Sequence, residues 1–268
     1  MRPSRTRFAE VVRSEPVDVG LACLLMGAEL DHDFDVDPSL ELLDLIATQI
    51  RPRLHGQTRP DDVAESMRRV LHMTHGFRGT EADFDDVRSS VLSEVLVRKR
   101  GLPILLSVVW TEVAARLGVQ AHVLGLPGRV LVLIGEPEDV HVVVDPWDDG
   151  QVLDREEVAA RAQGMPIAPM PPNDLLLRLL NNVRALAARR PPGLDAAAMR
   201  LWAVELSLLL PRHPVALRRE RGELLVRLGD HLGGAEELET YALVVDGADE
   251  QAAEAVRREA RLARAQLN

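Results

Sequence analysis

Residues 98–118, which decide the fold, read RKRGLPILLSVVWTEVAARLG. Pro103 begins an apolar helix in this stretch, because proline suits the first helical position and the apolar residues after it recur at helical spacing. Gly118 ends that helix, since glycine readily adopts the left-handed conformation found after helix C-termini. The cations before Gly101 are typical of the end of a preceding helix. The stretch therefore predicts two consecutive helices, the second of them buried.

Three short runs rich in β-branched residues follow the buried helix, at residues 120–124, 129–134 and 140–144. Pro127-Gly128 separates the first two runs, and a segment with glycine and proline separates the next pair. Short apolar runs divided by such turn residues are typical of an antiparallel meander. The middle of the chain is therefore predicted to be α+β, with one buried helix and three strands.

Helical periodicity covers both ends of the chain, whereas residues 76–86 have the composition of a loop. The prolines of residues 166–172 mark a linker, after which the pattern is entirely helical. Residues 221–241 within this tail are spaced like part of one tetratricopeptide unit, whose repeat is about 34 residues. We therefore expect a first domain over residues 1–172 and an all-helical, tetratricopeptide-like tail over residues 173–268. The predicted helices span residues 17–30, 37–50, 60–76, 87–100, 196–209, 215–228, 235–244 and 251–267.

The composition excludes several classes of protein. The 268 residues include 32 basic and 42 acidic side chains, a net charge of −10. A nucleic-acid partner is disfavoured, because phosphate contacts need a concentrated positive surface. Cys23 is the only cysteine, so neither an intramolecular disulfide nor a multi-cysteine zinc site can form. No segment approaches the roughly 18 uncharged apolar residues of a membrane span. We expect a cytoplasmic protein without a membrane or nucleic-acid partner.

Several motifs follow one another in an order that resembles the bacterial SirB family. They include DVRSSVLSEVL at residues 86–96, RKRGLPILLS at 98–107, VAARLG at 113–118, GLPG at 125–128 and DPW at 145–147. The resemblance implies a transglutaminase-like core, related to papain-like cysteine hydrolases, with a small antiparallel sheet and a tetratricopeptide-like helical tail. It assigns no firm reaction and implies a possible regulatory role. The expected fold class is mostly helical α+β.

A catalytic core of this type needs a thiolate at a helix N-terminus, a histidine on a following strand and an aspartate that orients the histidine. The resemblance implies that Pro103 (or Ile104), Arg129 and Asp145 stand at these three positions. Neither proline nor isoleucine can act as a nucleophile, and a guanidinium group is never deprotonated in proteins. We therefore interpret the site as vestigial and expect Arg129 to form a charge-assisted pair with Asp145.

Other residues could take over the missing roles. Ser107, His122 and Asp145 would form a relocated triad of a hydrolase or acyl-transferase, although a buried mid-helix serine usually donates to the carbonyl four residues before it. Cys23 is expected to be a buried core residue, since unpaired cysteines are among the most buried residue types.

The candidate binding residues lie around the same helices. Arg88, Glu94 and Ser107 are expected to gather near one cleft, with Glu94 accepting hydrogen bonds from a partly buried partner. Trp147, in the matched DPW piece, completes the set. The preferred function is binding without catalysis, with a protein or peptide partner on the tail, because stacked helix pairs build concave faces.

Two segments could suggest a metal ion, and both are interpreted as structural. Residues 31–37 read DHDFDVD like the start of a calcium loop, but Pro38 occupies the position that requires glycine. His72 and His75 share one helix face, and without a nearby cysteine we favour a structural helix end. No metal and no cofactor is therefore expected.

Overall fold

The structure is a computed structural model that describes residues 3–30, 34–54 and 59–266. The chain splits into two compact units, Met1–Leu175 and Leu176–Asn268. The first unit combines helices with a small antiparallel sheet, and the second is helical throughout its described residues. The mostly helical α+β prediction is confirmed. Among the described residues, no helix has the length and apolar character needed to cross a membrane.

The helices before the sheet follow the predicted pattern, except that the first helix, Pro3–Val11, was not predicted and two predicted helices change type along their length. The helix predicted over residues 60–76 is an α-helix only at its start and continues as a π-helix over Arg69–Thr74. The helix predicted from Val87 begins as a 3-10 turn, Val87–Ser90, and becomes α-helical after Val91, whose backbone is extended. The α-helices here are α1 (Pro3–Val11), α2 (Val19–Ala28), α3 (Asp37–Leu54), α4 (Pro60–Arg68), α5 (Leu92–Arg98) and α6 (Pro103–Leu117).

The break between the 3-10 turn and α5 has a tertiary cause. Ser89 is fully buried, and its carbonyl accepts a hydrogen bond from the backbone N–H of Leu102 (2.9 Å). A carbonyl that accepts this bond is not available to accept the backbone N–H hydrogen bond that a continuous helix would require. Residues 81–85, predicted as loop, form another 3-10 turn. Together these turns hold the segment before α6 against the start of that helix.

The sheet contains the three predicted strands and one more. Its strands are β1 (Ala121–Leu126), β2 (Arg129–Gly135), β3 (His141–Asp145) and β4 (Gln151–Leu153), and they are antiparallel in sequence order. β4 was not predicted, because three residues are too few to show an alternating pattern. α6 contacts β1 and β2.

One face of the sheet carries a cluster of buried apolar side chains. Leu124, Leu133, Val143 and Leu153 belong to this cluster, together with Val158. Val158 lies on α7 (Arg155–Ala162), which was not predicted and which follows the sheet directly. Burial of these side chains fixes the register, because a slip by one residue would turn them to the other face.

The tail is helical, as predicted. α8 (Pro172–Arg189) follows the proline-rich segment and precedes α9 (Leu194–Ser207), α10 (Ala216–Arg227), α11 (His231–Val245) and α12 (Glu250–Ala265). α10 packs on α11, and α11 packs on α12.

Candidate functional site

Arg129 and Asp145 meet between two adjacent antiparallel strands. Arg129 begins β2 and Asp145 ends β3. Arg129 Nη1 lies 3.7 Å from Asp145 Oδ2, and the arginine side chain is 46% exposed whereas that of Asp145 is 1% exposed. The expected ion pair is therefore present. It joins a half-exposed cation to a buried carboxylate.

The Asp145 carboxyl group is satisfied on one oxygen only. Oδ1 accepts hydrogen bonds from the backbone N–H groups of Trp147 (3.0 Å) and Asp148 (3.3 Å). Oδ2 is buried and accepts no hydrogen bond within the described part of the chain. Burial raises the pKa of Asp145 above its usual value, and the backbone hydrogen bonds and the charge of Arg129 offset this only in part. The site thus holds an incompletely satisfied buried acid.

Pro103, which the resemblance places at the nucleophile position, has no reactive side chain. Pro103 is the first residue of α6, and its carbonyl accepts a hydrogen bond from Ser107 Oγ (2.9 Å). Ser107 is fully buried, and its predicted hydrogen bond to the carbonyl four residues before it is confirmed.

Cys23 is also buried. Burial raises the pKa of its thiol, and the negative charges of Glu112 and Asp18 raise it further. A thiol in this state stays protonated.

His122 lies apart from Ser107 and Asp145. It is on β1, so β2 stands between it and Asp145, a separation of about 10 Å across two strand spacings. His122 lines a cleft of about 530 Å³ together with Thr111 and Glu112, and neither Ser107 nor Asp145 lines this cleft. The structure does not bring the relocated triad together.

Arg88 and Glu94 share a second cleft, of about 410 Å³, which Ser107 does not line. The expectation that all three residues gather there is wrong for Ser107, because the serine is buried within α6. The hydrogen bond expected at Glu94 is also missing within the described residues. Arg88 instead forms a bidentate pair with Asp86, at 3.0 and 2.9 Å, because Asp86 is the N-cap of the 3-10 turn that contains Arg88.

Trp147 connects the turn after Asp145 to the segment before α6. Its ring lies over Gly79, where a Cβ atom would come within 1.9 Å of the indole. The ring of Phe84 packs beside it, with centroids 5.4 Å apart. Trp147 therefore acts as a packing residue between two loops.

The sequence analysis missed a second buried acid, Asp83. It is 1% exposed and accepts hydrogen bonds from the backbone and hydroxyl of Thr80 (both 2.8 Å), from Ser89 Oγ (2.8 Å) and from Arg100 Nη2 (3.2 Å). Burial opposes ionisation of Asp83, but these hydrogen bonds together lower its pKa. The spacing of Thr80 and Asp83, typical of a capping box, is the signal that could have identified it.

The histidines considered as metal ligands have structural partners. His72 Nδ1 lies 2.9 Å from the Phe77 carbonyl, and its Nε2 lies 2.9 Å from Asp149. His75 Nε2 lies 2.7 Å from the Gln49 side chain. Over residues 3–30, 34–54 and 59–266, no group of three or more His, Cys, Asp or Glu residues could hold a metal ion. Residues 31–33 of the calcium-like segment lie outside the described residues.

Comparison with known proteins identifies similar chains. Residues 38–187 match the model of the Transglutaminase-like superfamily. A UPF0162 protein of Xylella fastidiosa is 31% identical over 189 residues, which cover 66% of each chain and thus slightly less than two thirds. A UPF0162 protein of Pseudomonas aeruginosa is 28% identical over 68% of this chain and 69% of its own. Human F-box only protein 21 is 25% identical over 64% of this chain, which is 28% of the human protein.

Proposed function

We propose that this chain, which belongs to the transglutaminase-like superfamily, is a non-catalytic member that acts by binding a protein or peptide. The order of its motifs supports assignment to the SirB branch, with a regulatory role in the bacterial cytoplasm. The net charge of −10 favours a partner other than a nucleic acid.

The ion pair between Arg129 and Asp145 carries this proposal. Acyl transfer needs a base within hydrogen-bond reach of the nucleophile. The guanidinium of Arg129 cannot accept a proton, and it lies 3.7 Å from the acid that would orient a histidine. Pro103, at the start of α6, offers no nucleophile. Two of the three catalytic roles therefore have no residue to perform them.

The tail supplies the proposed partner surface, and we propose that it is tetratricopeptide-like. α10 and α11 approach closely, because a Cβ atom at Gly222 would come within 2.9 Å of the Gly234 carbonyl oxygen. Close contact through small residues allows stacked helix pairs to form a concave face for a peptide. Leu243 is 72% exposed on α11, and Leu262 on α12 is 66% exposed. Such apolar side chains are available to a partner.

An activity assay tests the absence of catalysis. The purified protein is incubated with generic glutamine-containing peptides and an amine, and deamidation, amide hydrolysis and amine transfer are measured. We expect no turnover above buffer, because losing both nucleophile and base reduces rates by many orders of magnitude. Turnover that disappears in Ser107→Ala or His122→Ala, but persists in the control Cys23→Ala, would instead establish the hydrolase with a relocated nucleophile.

A capture experiment tests the partner surface. The full chain is used as bait in a lysate of its native bacterium, beside Leu243→Arg and the control Met73→Arg. Met73 is 67% exposed, similar to Leu243, but belongs to the first unit. We expect Leu243→Arg to lose a partner that Met73→Arg retains. Equal capture by both variants would argue against binding through this part of the tail.

A further inference from the structure

A cavity of about 780 Å³ opens beside the sheet and α7. Leu124, Leu133, Val143, Leu153 and Val158 lie at its inner end, where they are 0–7% exposed, and its accessible apolar surface comes mainly from Val142, Ala159 and Ile167. The first four project from one face of the sheet, and Val158 projects from α7. Sites for small molecules are mostly apolar and have volumes of roughly 300–1000 Å³. The size and walls of this cavity fit an aliphatic chain.

The cavity is separate from the vestigial site. Pro103, Arg129 and Asp145 do not line it. Its outer wall includes Ile167, which is 46% exposed although it is a large apolar residue. A bound aliphatic chain would shield this side chain from water.

The polar residues that line the cavity are all exposed. They are Arg155, His141 and Glu138. His141 Nδ1 lies 3.0 Å from the Asp139 carbonyl. No hydrogen bond or ion pair to the Arg155 guanidinium occurs within the described part of the chain. Arg155 can therefore offer its planar donors to an anionic group, and it matches the geometry of a carboxylate.

We propose that this cavity binds a free aliphatic carboxylate, with the chain against the accessible side chains of Val142, Ala159 and Ile167 and the carboxylate at Arg155. Hydrophobic burial supplies most of the affinity, because each methylene removed from water multiplies it by about fourfold. The exposed ion pair with Arg155 adds about twofold to fivefold and selects an anion over a cation. The nearby carboxylate of Glu138 opposes the same head group.

Calorimetric titration of the full chain with dodecanoate, below the concentration at which it forms micelles, tests the proposal. We expect one dodecanoate per chain, with much weaker binding of butanoate and of dodecyltrimethylammonium. Ala159 is exposed and lines the cavity, whereas its exposed neighbour Ala160 does not. Ala159→Trp should weaken binding by about tenfold or more, since the indole excludes several methylenes. Ala160→Trp is the matched control and should bind normally.

Two variants that remove opposite charges test the exposed polar residues of the cavity. Arg155→Gln should weaken dodecanoate binding by about twofold to fivefold, and Glu138→Gln should leave it unchanged or strengthen it. Circular dichroism checks that all variants are folded. The proposal is overturned if dodecanoate does not bind, if Ala159→Trp binds as well as Ala160→Trp, or if the cationic amphiphile binds as tightly as dodecanoate.

Discussion

Two aspartates in the first unit are equally buried, yet their surroundings affect ionisation in opposite ways. Asp83 and Asp145 are each 1% exposed. The pKa of Asp83 is lowered, because hydrogen bonds from Thr80, Ser89 and Arg100 together outweigh its burial. The pKa of Asp145 is raised, because burial outweighs two backbone hydrogen bonds and the charge of Arg129. Burial alone therefore does not decide whether an acid stabilises a fold; the number of donors that reach it does.

The difference separates a fully hydrogen-bonded acid from an incompletely hydrogen-bonded one. The donors around Asp83 come from the segment immediately before α6, and they hold this segment in place. Asp145 keeps one buried oxygen without a hydrogen bond in the described residues, and its nearest cation, Arg129, lies 3.7 Å from that oxygen.

The largest expected effect is that of removing Asp83. Asp83→Ala should lower the free energy of unfolding by about 3 kcal/mol, because it leaves the donors of Thr80, Ser89 and Arg100 without their acceptor. Urea denaturation measures the change. Glu81→Ala, in the same turn but exposed, is the control and should change stability by about 0.5 kcal/mol or less. Equal effects of both variants would contradict the structural role of Asp83.

A smaller effect is expected from breaking the contact that joins the two regions. Gly79 lies in the Asp83 segment, and Trp147 follows Asp145. Gly79→Ala should cost about 2 kcal/mol of unfolding free energy, because its Cβ would overlap the indole. The tryptophan fluorescence spectrum should shift as Trp147 moves. Unchanged stability and fluorescence would show that the two loops are independent.

Neutralising Asp145 should have a still smaller effect. Asp145→Asn retains an oxygen that can accept from Trp147 and removes a buried charge that lacks a hydrogen bond on Oδ2. We expect the free energy of unfolding to change by about 1 kcal/mol or less, in either direction. Urea denaturation beside Asp83→Asn makes the comparison direct. A loss as large as that of Asp83→Asn would mean that Arg129 and Asp145 form a major stabilising pair.

The dependence on pH should differ in direction between the two acids. The folded pKa of Asp145 is raised above 3.8, so its stabilising contribution is present below 3.8 and is lost as pH rises through the folded value. The folded pKa of Asp83 is lowered below 3.8, so its contribution is present above 3.8 and is lost as pH falls through the folded value.

Stability measured against pH distinguishes these two windows. Acidification from neutral pH should make the wild type gain stability relative to Asp145→Asn. The advantage of the wild type over Asp83→Asn should persist until the pH falls below 3.8 and then decline. Parallel pH profiles for the two variants would contradict the opposite pKa shifts. This is the smallest of the expected differences.

The elements with strong local signals were predicted from the sequence. α6 begins at Pro103 and is capped by Gly118 in the left-handed conformation, as proline and glycine at these positions require. The helical tail and three strands of the sheet followed from periodicity. α1, α7 and β4 were missed, because short segments show too few repeats of a pattern to be recognised.

The candidate site was predictable only in part. Proline at 103 cannot act as a nucleophile and arginine at 129 cannot act as a base, and the expected contact of Arg129 with Asp145 is present. The expected contact of Ser107 with a cleft was wrong, because helical spacing does not reveal which face is covered by other elements. The structural role of Asp83 was missed, since its donors come from residues up to 17 positions away.

The sequence by itself determined the helical and strand character of the long elements and the inability of the side chains at 103 and 129 to act as a nucleophile or a base. Both depend on residue identity and short-range spacing. Tertiary structure alone decided that Asp83 is fully satisfied while Asp145 is not, and that a cavity opens between the sheet and α7. Burial and hydrogen bonding depend on groups brought together from distant parts of the chain, and neither spacing nor composition specifies those distances.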